Sequence, residues 1–284
     1  MAAVMNMIPA GALTQQYWMD AVTSFAAKPA DFVAASYSPS VFWPVLGAVA
    51  YAITIWAIKQ RSGPAMTLTG VAVVHNINLI LLSAAMAIGA ALELYSRYET
   101  EGSDGLFCSQ RSLATTLDGP AGYWMKIYYV SKYYEFGDTV ILALKKKPTI
   151  PLHLYHHCVM VFLTWSWSTY GWFEGSLWCV LVNSIIHFFM YTYYLLAALG
   201  HSVWWKRYLT GCQIFQFITG FLYVSLFFYR HATKGCGGNV KIIVAMPTYL
   251  VNVSFIYMFY QFFKAGAPKK DKKGDNKKKG SKKE

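Results

Sequence analysis

Seven apolar runs, each close to the length that crosses a bilayer as a helix, constrain this chain more than any other feature. They lie at about 41–58, 70–95, 123–144, 152–170, 176–199, 207–229 and 241–263. Of 284 residues, 56% are hydrophobic and only 13% charged, which excludes a soluble globular domain. The run at 123–144 is the least apolar, because it carries Lys126, Lys132, Glu135 and Asp138. Residues 96–122 are polar, hold Gly102, Gly105, Gly119 and Pro120, and read as a loop. The predicted fold is an all-α integral membrane protein. It has an N-terminal segment at 1–40, a seven-helix domain at 41–263 and a Lys-rich tail at 264–284. The N-terminus does not read as a signal peptide, because no basic flank precedes its first apolar stretch.

The net charge of +12 invites a nucleic-acid reading, but its placement argues against one. Ten lysines against three acids put +7 into residues 264–284, a tail expected to be disordered and cytosolic near anionic lipid. Its last residues match a dilysine retrieval signal only imperfectly. The other bases follow alternate runs: Lys59 and Arg61, then Lys145, Lys146 and Lys147, then Lys206 and Arg207. Basic loops mark the cytosolic side, so the N-terminus is predicted to be lumenal. The opposite loops carry Glu99, Glu101, Asp104, Asp118 and Glu174. Cys108 and Cys236 fall in two loops on that lumenal side, where a disulfide is permitted and predicted. The sequon at Asn252 lies inside the last run, which disfavours glycosylation.

The polar residues within the runs carry the chemistry. His153, His156 and His157 open the fourth run, and spacings of three and four place the rings on one helix face. Ionisable rings inside a membrane are costly unless something uses them. Lys132, Glu135, Asp138 and Thr139 share a face of the third run. Asn183, His187, Tyr191 and Tyr194 follow a stripe in the fifth, and Gln213 and Gln216 stand one turn apart in the sixth. Mutual neutralisation of Lys132 and Glu135, or amide contacts between helices, would explain each set alone. At 1.5 Å rise per residue, however, four helices aim these groups at one layer, ~6 to 18 Å below the cytosolic edge. A buried reaction chamber accounts for that convergence. His75, Asn76 and Asn78 form a polar cluster without an evident role, and His201 and His231 read as ordinary loop histidines.

These residues stand as KYYEFGDT, HLYHH, NSIIHFFMYTYY and TGCQIFQ. In that order, over residues 123–216, they resemble the motifs of the ELO-type very-long-chain fatty acid elongases. The resemblance implies a 3-ketoacyl-CoA synthase of the endoplasmic reticulum, condensing a long-chain acyl-CoA with malonyl-CoA and releasing CO2 and CoA. It implies six helices forming a barrel around an acyl-chain tunnel, with the seventh outside and the lumenal end closed. A disulfide between lumenal loops fits the family too.

By motif position, His156 is the expected acyl-carrying nucleophile, with His187 at the same centre and His153 and His157 orienting neighbours. Lys132, Glu135 and Asp138 are expected to fix the histidine network, with Thr139, Tyr191 and Tyr194 in the same network or lining the substrate. Gln213, Gln216, Asn183 or a histidine is expected to donate to the enolate oxygen. Lys145, Lys146, Lys147, Lys206 and Arg207 are expected at the CoA phosphates. Residues near Trp165, Trp167, Trp172 and Trp178 are expected to cap the tunnel and set product length.

Cys158 adjoins the box but points roughly 100–200° away from His156 and His157, which disfavours a thiol nucleophile. No bound cofactor or metal is expected. Expected partners are the two CoA esters, the bilayer and other enzymes of the elongation cycle, and a homodimer is compatible; nucleic acid is excluded. Two alternatives compete: a membrane transporter, and a di-iron desaturase or hydroxylase, which seven histidines in all poorly supply.

Overall fold

Backbone groups inside lipid must bond to one another, so apolar runs of this kind become helices. The computed structural model describes residues 39–109, 119–171, 174–236 and 238–266, and all eight elements among them are α-helices. These are α1 (Phe42–Gln60), α2 (Thr69–Phe107), α3 (Pro120–Tyr134), α4 (Phe136–Leu144), α5 (Pro151–Tyr170), α6 (Glu174–Ala198), α7 (Lys206–Lys234) and α8 (Gly238–Gly266). Five of them contain stretches long and apolar enough to cross a membrane: Phe42–Gln60, Thr69–Phe107, Glu174–Ala198, Tyr208–Lys234 and Lys241–Lys264. The chain is thus a multi-pass helical membrane protein. Most of the N-terminal segment, the tail beyond 266 and Trp172 lie outside the described residues, as does the side chain of Arg207.

Two predicted spans are not among these five. The third is two helices, α3 and α4, separated at Glu135. There the Glu135 N–H still bonds to Ser131, but the Asp138 N–H reaches only to the Glu135 carbonyl, a tighter three-residue turn. The fourth, α5, is rich in His, Trp, Ser and Thr, which lowers its hydropathy without breaking the helix. Pro120 and Pro151 each start their helix, where the missing N–H costs nothing.

The loop expected at 96–122 is a loop only in part. Helix α2 continues to Phe107, through a non-helical residue at Gly102 (φ 62°). A buried ion pair between Glu93 and Arg97, 2.8 Å apart on successive turns, lets the charged stretch stay helical. His231, expected in a loop, sits in the last turn of α7 and bonds through Nδ1 to the Cys236 carbonyl.

Helix α2 packs on α6, α6 on α7, α7 on α8, α8 on α5, α5 on α3, and α3 back on α2, while α1 lies against α4 and α5. The interior of this closed order is filled by Met86, Trp124, Tyr128, Met160, Trp167, Val224 and Phe255, among others. The α2–α3 approach depends on Gly89, because the Trp124 indole occupies the place where a Cβ would project.

The two ends of the bundle differ. At one end, Cys108 and Cys236 form a disulfide with Cα atoms 4.9 Å apart. Beside it, Asp104 pairs with Arg230 at 2.7 Å and Lys234 at 3.1 Å. Lys241 reaches both Glu174, at 2.5 Å, and the Ser109 carbonyl, at 3.0 Å. The other end carries Lys59, Lys145, Lys146, Lys147, Lys206 and Lys264, and is called the basic end below.

Candidate active site

The polar residues of five helices, α3 to α7, meet between the basic end and the apolar interior. In α3, Lys132 is buried with its Nζ 2.7 Å from Glu135 Oε1, 3.4 Å from Asn183 Oδ1 of α6 and 4.0 Å from the Tyr128 ring centroid. Tyr128 donates to the same Asn183 oxygen at 2.8 Å. A buried ammonium needs such partners, because desolvation without them is costly. Glu135 Oε1 also lies 3.7 Å from His187 Nδ1, while its Oε2 has no hydrogen-bond partner among the described residues.

The α5 histidines divide their tasks. His153 and His157, one turn apart, share a hydrogen bond between their Nε2 atoms at 2.9 Å. His156 makes no hydrogen bond among the described residues; its ring stands 5.3 Å from that of His157 and 5.2 Å from that of Phe255. His156 is therefore the one imidazole of the box without a hydrogen bond among the described residues.

Helix α4 holds a second group. Asp138 accepts from Tyr191 OH through Oδ2 at 2.8 Å, and its Oδ1 lies 2.8 Å from His75 Nε2 of α2. Gly137 makes room for this, since a Cβ there would lie 2.7 Å from the His75 ring. Thr139 faces the other way and pairs with Tyr51 of α1 at 2.7 Å.

Three cavities follow one another through these residues. At the basic end a vestibule of about 450 Å³ is lined by His75, Asp138, Lys145, Lys147, Tyr193 and Tyr194, among others. Next comes a chamber of about 150 Å³, walled by His153, His156, His157 and His187. Its wall also includes Glu135, Asp138, Asn183, Tyr191, Tyr194, Gln213 and Gln216. Deeper lies a narrow apolar space of about 40 Å³ between Met160, Leu163, Trp167, Trp178 and Val251. His156, Asn183, Gln216 and Phe217 line both the chamber and the deep space.

Of the sequence-predicted residues, Lys132 and Thr139 are the two polar ones of the third run's face that line none of these spaces. Gln213 contacts Met190 Sδ at 3.7 Å. Lys146 is turned away from the vestibule at a positive φ of 52°. Lys206 Nζ lies 5.6 Å from the ring of Tyr193, at the vestibule wall. Trp167 and Trp178 bound the deep space, whereas the Trp165 indole bonds to the Pro39 carbonyl. Tyr51, Tyr128 and His75 were not singled out by the sequence as site residues. Each bonds to a residue 55 to 88 positions away, a pairing that local spacing cannot reveal.

An apolar helical bundle that encloses a histidine-lined chamber beneath a basic vestibule defines a class, the multi-pass membrane proteins with a buried polar centre. The chain belongs to the GNS1/SUR4 family, whose ELO profile matches residues 36–275. It is 42% identical over 226 residues to "Fatty acid elongase sre1" of Dictyostelium discoideum, covering 79% of this chain and 83% of that protein. "Fatty acid elongase A" of the same organism is 28% identical, with 92% of each chain covered. "Very long chain fatty acid elongase 2" of Rattus norvegicus is 29% identical, with 81% of this chain and 80% of that protein covered.

Proposed function

We propose that this protein elongates fatty acids by condensing a long-chain acyl-CoA with malonyl-CoA, as a 3-ketoacyl-CoA synthase of the endoplasmic reticulum membrane. The observation that carries the reading is His156, without a hydrogen bond among the described residues, on the wall of the chamber that joins a basic vestibule to an apolar space. A CoA ester has the same two halves. Its phosphates suit Lys145 and Lys147, and its acyl chain suits the space bounded by Trp167 and Trp178. The closed packing order supports a six-helix barrel around that path, with α1 outside it. The family relatives, named as fatty acid elongases, support the same role. In this arrangement α3–α4 and α5 also cross the membrane, giving seven crossings with the basic end in the cytosol.

The chemistry proceeds in two halves. A His156 nitrogen attacks the thioester carbonyl, the C–S bond breaks, and the departing thiolate takes the imidazole proton, leaving a neutral acyl-imidazole and CoA. Malonyl-CoA then loses CO2, and the resulting carbanion attacks the acyl carbon. A C–C bond forms and the bond to His156 breaks. Asn183 and Gln216, which line the chamber, donate to the enolate oxygen on this route, and contacts from the Lys132–Glu135 pair to Asn183 and His187 support the arrangement.

Intact-protein mass spectrometry after incubation with acyl-CoA alone tests the route. The expected result is a gain of one acyl group in the wild type, absent in His156→Ala. No adduct, with full condensation once malonyl-CoA is added, would leave direct attack in a ternary complex. No adduct and no condensation with any chain length would refute the elongase reading and favour a transporter.

A further inference from the structure

We infer that His75 and Asp138 carry a proton from the vestibule to the chamber for the second half-reaction, with Tyr191 as the last protein donor. The inference rests on the condensation proposed above. The need comes from its balance. Acyl transfer to His156 consumes no proton, because the imidazole N–H supplies the thiolate. Condensation does consume one. Malonyl-CoA enters with a carboxylate, the carbon leaves as neutral CO2, and His156 departs from the acyl carbon as an imidazolate. Each turnover therefore requires one proton to reach a chamber buried between helices.

One connected path joins the two spaces. His75 lines the vestibule, and its Nε2 is 2.8 Å from Asp138 Oδ1. Asp138 lines both spaces. Its second oxygen accepts from Tyr191 OH at 2.8 Å, and Tyr191 lines the chamber with His156. The His75 Nδ1 atom makes no hydrogen bond among the described residues, so it is the atom open to solvent protons.

The transfers balance. The O–H bond of Tyr191 breaks as a water in the chamber takes its proton and gives one of its own to the His156 imidazolate, the two residues lining the same space. His75 Nε2 gives its proton to the Asp138 carboxylate, Asp138 passes one to the phenolate, and His75 Nδ1 takes one from vestibule water. At the end only the His75 tautomer differs, with its proton on Nδ1, and a turn of the imidazole ring or exchange with vestibule water restores the donor to Asp138. The simpler role for His75 is to tie α2 to α4. That role predicts equal damage to both half-reactions, whereas the relay predicts damage to one.

The test uses the full-length protein with His75→Gln, which keeps a donor for Asp138 but carries no proton, and His75→Ala with added imidazole. Acylation is followed by mass with acyl-CoA alone. Condensation is followed after malonyl-CoA is added to the preformed acyl-enzyme. The expected result for His75→Gln is acylation within about two-fold of wild type and condensation slower on the order of 100-fold, the scale of a lost proton transfer. In His75→Ala, imidazole is expected to restore condensation selectively. Equal slowing of both halves, or no slowing of condensation, overturns the relay. If the wild type condenses without any acyl-enzyme, the covalent route falls but the proton is still required. The relay then stands on a reduced kcat of His75→Gln at unchanged KM, and an unchanged kcat overturns it. A wild type inactive with every acyl-CoA overturns both readings.

Discussion

Replacing Lys132 by Met separates what the buried ion pair does for the fold from what it does for the site. Lys132 and Glu135 are each 1% exposed and 2.7 Å apart. Methionine refills the lysine stem but leaves the carboxylate with weak company, Ser131 Oγ at 3.4 Å and His187 Nδ1 at 3.7 Å. Removing one member of a buried pair costs about 3–5 kcal/mol, because the other charge stays desolvated. At roughly 2–4 °C per kcal/mol for a chain of this size, the melting temperature falls by ~6–20 °C. Adding Glu135→Gln removes the stranded charge, so the double variant is expected to recover most of that loss. Activity should not recover with it, because glutamine offers His187 no anion. The assay is a tryptophan-fluorescence melt of detergent-solubilised protein, paired with product formation from acyl-CoA and malonyl-CoA. A single variant that melts within about 2 °C of wild type, or a double variant no more stable than the single, would refute the ionic pairing.

Other perturbations probe the remaining parts. Trp178→Ala should lengthen the products seen by mass spectrometry of extracted acyl chains, whereas Trp165→Ala, whose indole bonds to the Pro39 carbonyl, should leave the profile unchanged. Lys145→Ala and Lys147→Ala should each raise KM for CoA substrates by about two- to five-fold, the scale of an exposed ion pair, and salt should diminish the difference. Lys146→Ala, turned away from the vestibule, should have little effect in the same kinetics. The paired change Cys108→Ala with Cys236→Ala opens a closure of 128 residues and should cost about 2–5 kcal/mol in thermal melts, with little change in initial rate at low temperature.

The convergence of the four polar sets on one chamber could be read from spacing and helical rise, because each motif lies on a single helix and the depths follow from chain position. What could not be read is which partner each group chooses. Asp138 shares a helix face with Glu135 in the sequence, yet bonds to His75, 63 residues earlier, and to Tyr191, 53 residues later. The separation of α3 from α4 was equally hidden, since no proline or glycine stands at Glu135. The length of α2 was misread because Arg97 and the acids around it look like loop charge. The contact with Glu93 and burial to 3% exposure accommodate Arg97 inside a helix. Thr139 carries the last letter of its motif but serves the α1 contact through Tyr51.

The disulfide and the salt links around Asp104 and Lys241 tie α2, α6, α7 and α8 together at one end. On the proposed fold, a pathway closed at that end has a single doorway, at the basic end. On the proposed route, the methyl tip of a fatty chain goes in first and comes out last, and the whole chain must retrace its path after every round. Each added pair of carbons then lengthens the withdrawal as well as the molecule, so the departure of product, and not only the bond-forming step, limits how long a chain this protein can make.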